Sequence, residues 1–122
     1  MGNTQRMGLE LKSGLEKLQQ QFPFIGDVRG KGLLLAFELV SDIETMEPLP
    51  KELEAHTRLV DIAYDKGLII YSRRSRDGLE GDHFLVCPPM IITSAQVADI
   101  LTLLRQSLSE FAAEAKLETN VR

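Results

Sequence analysis

The chain has 122 residues, a hydrophobic fraction of 43% and a formal charge of -4 from 14 basic and 18 acidic residues. This is the size of one domain, with enough apolar content for a core without disulfides or metal, and too much for a disordered chain. The acidic balance excludes general nucleic-acid binding, which needs a basic face.

Over residues 4–22, Leu11, Leu15, Leu18 and Phe22 recur at i, i+4, i+7 and i+11, with Lys12, Glu16, Lys17, Gln19 and Gln20 between them. The spacing predicts a helix, ended by Pro23. Gly14 within it costs roughly 1 kcal/mol against alanine, which points to a close contact there. A short strand from Phe24, a turn at Gly30-Lys31-Gly32 and a longer strand from Leu33 to Val40 follow. Because a strand and not a helix follows the glycines, the turn is not a dinucleotide fingerprint. The longer strand is apolar almost throughout, so it is expected to be central and covered on both faces. Glu38 interrupts it and needs a partner, for which Arg29 is the candidate.

Residues 41–50 form an acidic loop broken by Pro48 and Pro50. Residues 51–66 read as a second helix with Ala55, Leu59, Ile62 and Ala63 on one face and Gly67 as its C-terminal cap. Leu68-Ile69-Ile70-Tyr71 reads as a third strand. A loop bearing Arg73, Arg74 and Arg76 leads to a fourth strand from His83 to Val86. Pro88-Pro89 takes the chain off the sheet, since proline cannot donate to a ladder. Thr93-Ser94-Ala95-Gln96 opens a last helix as a capping box, with an apolar stripe from Val97 to Phe111, and residues 116–122 read as a frayed tail. The order α-β-β-α-β-β-α predicts an α+β fold: a single domain over residues 1–122, with a small antiparallel sheet of about four strands and helices packed on it. The apolar content is generous for so small a sheet, which leaves part of it to face another domain.

No apolar run is long enough to span a bilayer, and the N-terminus is polar with no signal-peptide core. The single cysteine, Cys87, rules out an internal disulfide, fits a reducing cytoplasm, and reads as a small packed residue. With His56 and His83 far apart, no metal site is expected. Asp82 and His83 are adjacent on a strand and so point to opposite faces; no catalytic constellation is justified by spacing. Arg73, Arg74 and Arg76 have two readings: a solvated loop, the commoner fate of such residues, or a clamp for a carboxylate or phosphate.

Residues 25–33, Ile-Gly-Asp-Val-Arg-Gly-Lys-Gly-Leu, followed by Phe37-Glu38-Leu39-Val40, resemble the segment that begins the C-terminal small domain of class III pyridoxal-phosphate-dependent aminotransferases. Residues 81–93, Gly-Asp-His-Phe-Leu-Val-Cys-Pro-Pro-Met-Ile-Ile-Thr, resemble a later block of that family, and Lys66-Gly67-Leu68-Ile69-Ile70-Tyr71 is similar to the family's helix end and strand. The three fall in order and cover nearly the whole chain.

The resemblance implies one domain of a transaminase that moves an amino group between an amine or amino acid and a keto acid. In that family pyridoxal phosphate is held on a lysine of a large domain. Here Lys12, Lys17, Lys31, Lys51, Lys66 and Lys116 do not stand in that motif. The resemblance therefore implies no cofactor on this chain alone, no catalysis by it alone, and a large domain as partner within a homodimer. The small domain's implied role is to close the active site and supply an arginine for the substrate carboxylate. Some members carry that arginine at the position of Leu85; others carry it on the loop after the third strand, where Arg73, Arg74 and Arg76 stand, Arg73 and Arg74 nearest the strand end. The alternative is a free-standing, non-catalytic α+β module that binds an anionic metabolite or a protein partner.

Overall fold

The computed structural model describes residues 2–76, 80–86, 88, 92–117 and 119. Along the chain these form α1 (Asn3–Gln21), β1 (Ile25–Lys31), β2 (Leu34–Asp42), a two-residue β3 (Glu47–Pro48), a 3-10 turn (Lys51–Leu53), α2 (Ala55–Asp65), β4 (Tyr71–Arg76), β5 (Glu80–Val86) and α3 (Ser94–Ala115). The sheet is antiparallel with strand order β1-β2-β5-β4, and β3 pairs with the far end of β2. The expected α+β fold is therefore present, with β3 as an added strand inside the acidic loop.

One sheet face carries the core. Leu11, Leu15 and Phe22 of α1, Leu35, Phe37 and Leu39 of β2, Phe84 of β5 and Leu108 and Phe111 of α3 are all buried. Phe37 and Phe84 stand directly opposite in the ladder and stack with ring centroids 5.1 Å apart. Each such side chain contributes about 1.5–3 kcal/mol on burial. The spacing in α1 explains its burial, since Leu11, Leu15 and Leu18 share one helical stripe. Gly14 also lies close to α3: a Cβ built there would sit 2.1 Å from Leu101 Cδ1.

Four sequence expectations are corrected. The β2 strand is central, but it is covered on one face only: Leu35, Phe37 and Leu39 are buried, while Leu34 is exposed and Ala36 and Glu38 are half-buried. All the helices contribute to one core, which leaves the other face open, as antiparallel sheets allow. Residues 51–66 do not make one helix. Glu54, at φ 47°, separates the 3-10 turn from α2, and that turn is closed by the bond from Leu53 N–H to the Pro50 carbonyl.

The third strand is Tyr71–Arg76, not residues 68–71. Tyr71 pairs with Leu85, so continuing the register would set Leu68 opposite Pro88, which has no N–H to give. Arg73, Arg74 and Arg76 thus lie on a strand and not on a loop, because β5 begins at Glu80, earlier than expected, and offers them a ladder.

Other local expectations hold. Thr93 accepts from Gln96 N–H, and Gln96 Oε1 accepts from Thr93 N–H, which completes the capping box of α3. Gly67 ends α2 at φ 90° with its N–H on the Tyr64 carbonyl. The turn between β1 and β2 uses Gly32 at φ 59°, while Gly30 sits within β1 at φ 142°, where an added Cβ would lie 2.3 Å from the Leu34 carbonyl oxygen. The Asp77–Leu79 connection, Cys87, Pro89 and most of the tail lie outside the described residues.

Candidate functional site

The open sheet face is where the chemistry of this chain collects. Cross-strand register sets Asp27 opposite Glu38, Glu38 opposite His83, and His83 opposite Arg73. Four ionisable residues from four strands therefore form one continuous row. Directly opposite residues share a face, with Cβ atoms about 4.5–5.5 Å apart. The neighbouring row is Arg29, Ala36, Leu85 and Tyr71. Leu34, Tyr71 and Leu85 are 62%, 59% and 39% exposed, so a charged row lies beside apolar surface.

On this face the side chains of Asp27, Arg29, His83 and Glu38 are joined. Arg29 donates to Asp27 Oδ2 at 2.7 Å and to His83 Nδ1 at 2.6 Å. A guanidinium has no acceptor, so His83 Nδ1 must carry a lone pair. Its proton therefore sits on Nε2, which donates to Glu38 Oε1 at 2.5 Å. Both ring nitrogens are engaged. Glu38 was expected to pair with Arg29; instead His83 bridges them, because Glu38 and His83 are directly opposite while Arg29 belongs to the next row.

The helix-facing side is built differently. Asp82 is buried, and His56 Nδ1 of α2 lies 3.7 Å from its Oδ1. Asp82 and His83 do face opposite sides, as strand alternation requires. Further out, Arg58 forks onto Glu114 at 2.8–3.3 Å and Lys66 reaches Glu110 at 3.1 Å, tying α2 to α3. The hydrogen bond to Glu114 raises the pKa of the Arg58 guanidinium above its ordinary value.

Backbone register separates the three arginines. Arg73 stands opposite His83, Arg74 opposite Asp82, and Arg76 opposite Glu80. Arg73 stands in the open-face row, while Arg74 and Arg76 stand at the register positions that alternate with it, opposite Asp82 and Glu80. A surface groove of about 570 Å³ also lies between α1 and α3, beside Gly14, Lys17 and Arg105, apart from the charged row. Among the described residues no group of three or more His, Cys, Asp or Glu side chains could hold a metal ion, and no helix is long and apolar enough to cross a membrane.

Over residues 1–108 the chain matches the aminotransferase class-III family. It belongs to that family. It is 33% identical over 107 residues to YodT, an uncharacterized aminotransferase of Bacillus subtilis, covering 87% of this chain and 24% of that protein. It is 37% identical over 100 residues to a taurine–pyruvate aminotransferase of Bilophila wadsworthia, covering 81% and 21%. An amine transaminase of an uncultivated Pseudomonas species, solved in its pyridoxal-phosphate-bound form, superposes with a TM-score of 0.76 at 28% identity, over 89% of this chain and 23% of that one. The chain thus spans about a quarter of the length of the curated relatives it matches.

Class III aminotransferases use pyridoxal phosphate, which their catalysis attaches to a lysine amine. The described lysines do not fit that role. Lys17 and Lys116 are exposed, Lys12 is half-buried on α1, and Lys66 is held by Glu110. On the open sheet face the described residues offer charge and hydrogen bonds.

Sequence reasoning named the arginines, but missed His83, Glu38 and Asp27 as one row. The alternation of β2 and β5 carried part of that signal. The register, which depends on how the non-consecutive strands β2 and β5 meet, did not show in the sequence.

Proposed function

We propose that this chain is the small domain of a pyridoxal-phosphate-dependent transaminase, which moves an amino group between an amine or amino acid and a keto acid. In this reading the domain closes the active site and binds the substrate carboxylate through an arginine of the 73–76 segment. The remainder of the enzyme, a large domain, holds the cofactor and the reactive lysine, and two such chains pair as a homodimer in the cytoplasm. Catalysis by the isolated domain is not expected.

The observation that carries the reading is the family match over residues 1–108, joined to three arginines on the edge strand β4. An edge strand leaves one side free for another body. Guanidinium groups suit carboxylates because their fork matches two oxygens. The open face also offers exposed Leu34, Tyr71 and Leu85, which the rest of a larger enzyme would cover.

The test is steady-state kinetics of the full-length enzyme. Loss of the binding arginine removes a charged hydrogen bond worth about 1.5–3 kcal/mol. Arg73→Ala therefore raises KM for the keto acid by roughly 10- to 100-fold. Arg74→Ala and Arg76→Ala are the comparisons. If all three leave that KM at its parental value, the carboxylate reading is wrong.

A further inference from the structure

We propose that the groove between α1 and α3 seats an acidic amphipathic helix from the part of the enzyme outside these residues. The inference rests on the reading of this chain as one domain of a longer transaminase, and is independent of which arginine binds the carboxylate. The described walls of the groove come from α1 and α3, on the helical side of the domain. On α1, Leu9, Ser13, Lys17 and Gln21 recur every four residues, so they follow one side of the helix for about 18 Å. That is about three helical turns, well beyond the reach of a small keto acid.

The two ends of the groove differ. Leu9 lies exposed at one end. Ser94 bonds Glu10 and Leu101 abuts Gly14, so α1 and α3 run in the same sense, which brings Lys17 and Arg105 to one level on facing walls at the other end. Both cations are exposed, and neither has an ion-pair partner among the described residues. Arg58 and Lys66, by contrast, are each held by a glutamate of α3. Glu10 also lines the groove, but Ser94 occupies it at 3.1 Å. Two like charges facing one another in a chain of net charge -4 leave a positive site for an anion. Beside them Gln21 Oε1 is buried with no hydrogen-bond partner among the described residues, and a donor on the occupant would satisfy it.

A helix lying in a groove presents anchors at i, i+3, i+4 and i+7. Lys17 and Leu9 stand about 12 Å apart along α1. The helix that fits therefore carries an Asp or Glu and a Leu-like residue about seven or eight positions apart on one face. This chain spans about a quarter of the curated relatives it matches, which leaves most of such an enzyme to supply that helix.

The experiment uses the full-length enzyme. Ser13→Cys puts a thiol in the groove, and Asp61→Cys puts one on the exposed side of α2. A soluble maleimide, read at each site by mass spectrometry, should label position 13 at least about tenfold more slowly than position 61. Lys17→Glu combined with Arg105→Glu should remove that protection. It should also speed amide exchange in one segment outside residues 1–122, a segment with the acid-and-apolar spacing above. Reversing that segment's acid to lysine should restore the protection, which a disturbance confined to α1 and α3 would not allow.

Equal labelling at the two positions would show an open groove and overturn the proposal, with the transaminase reading untouched. Protection that survives the double charge reversal, or exchange that changes nowhere outside residues 1–122, would overturn it too. Protection lost on dilution would assign the groove to a second copy of the enzyme instead. Absence of amino transfer by the full-length enzyme would sink the transaminase reading, and the source assigned to the helix with it.

Discussion

At the scale of single residues, the open face is governed by hydrogen-bond inventory more than by net charge. Asp27, Arg29, His83 and Glu38 could pair in several ways, but a guanidinium that only donates leaves one tautomer for the ring. This predicts that side-chain nitrogen NMR of the folded domain finds the His83 proton on Nε2 and a lone pair on Nδ1. A spectrum with the proton on Nδ1 would break the chain of bonds from Asp27 to Glu38. None of these partnerships could be read from residue spacing, because Asp27, Glu38 and His83 lie on three strands and only their register brings them together.

At the scale of elements, local chemistry and tertiary pairing divided the work. The α1 and α3 helices were legible because their apolar stripes and the Thr93 cap are local signals. The β1–β2 turn was legible because glycine marks it. Gly30→Ala should therefore destabilise the domain by more than about 1 kcal/mol, since it adds strain at φ 142° and a contact of 2.3 Å with backbone; thermal or urea unfolding measures it. Removal of a stacked core ring is a second measure of the sheet. Phe84→Ala should cost about 3–5 kcal/mol, by loss of its contact with Phe37 and by the cavity left behind. The β4 strand was misplaced because Leu-Ile-Ile has the stronger strand propensity, yet β5 and Pro88 decide where a ladder can form.

At the scale of the whole molecule, one sheet face is packed and the other is not. Leu34, Tyr71 and Leu85 lie exposed beside the charged row. A face of that kind is commonly an interface, and the chain spans about a quarter of its curated relatives. Studied alone, the domain should bind an apolar-sensitive dye and self-associate as concentration rises in sedimentation. The double variant Leu34→Ser and Leu85→Ser should reduce both. A strictly monomeric domain without dye binding would argue that this face needs no partner.

The sequence by itself determined the α+β class, the α1 and α3 helices, the Thr93 and Gly67 caps, the glycine turn and the resemblance to class III aminotransferases. These rest on periodicity, capping and turn chemistry, which act over a few neighbouring residues. Only the tertiary structure decided which strand carries the arginines, which face of β2 stays open and which residues share the row with Arg73. Strand pairing sets these, and a shift of one residue would move every side chain to the other face.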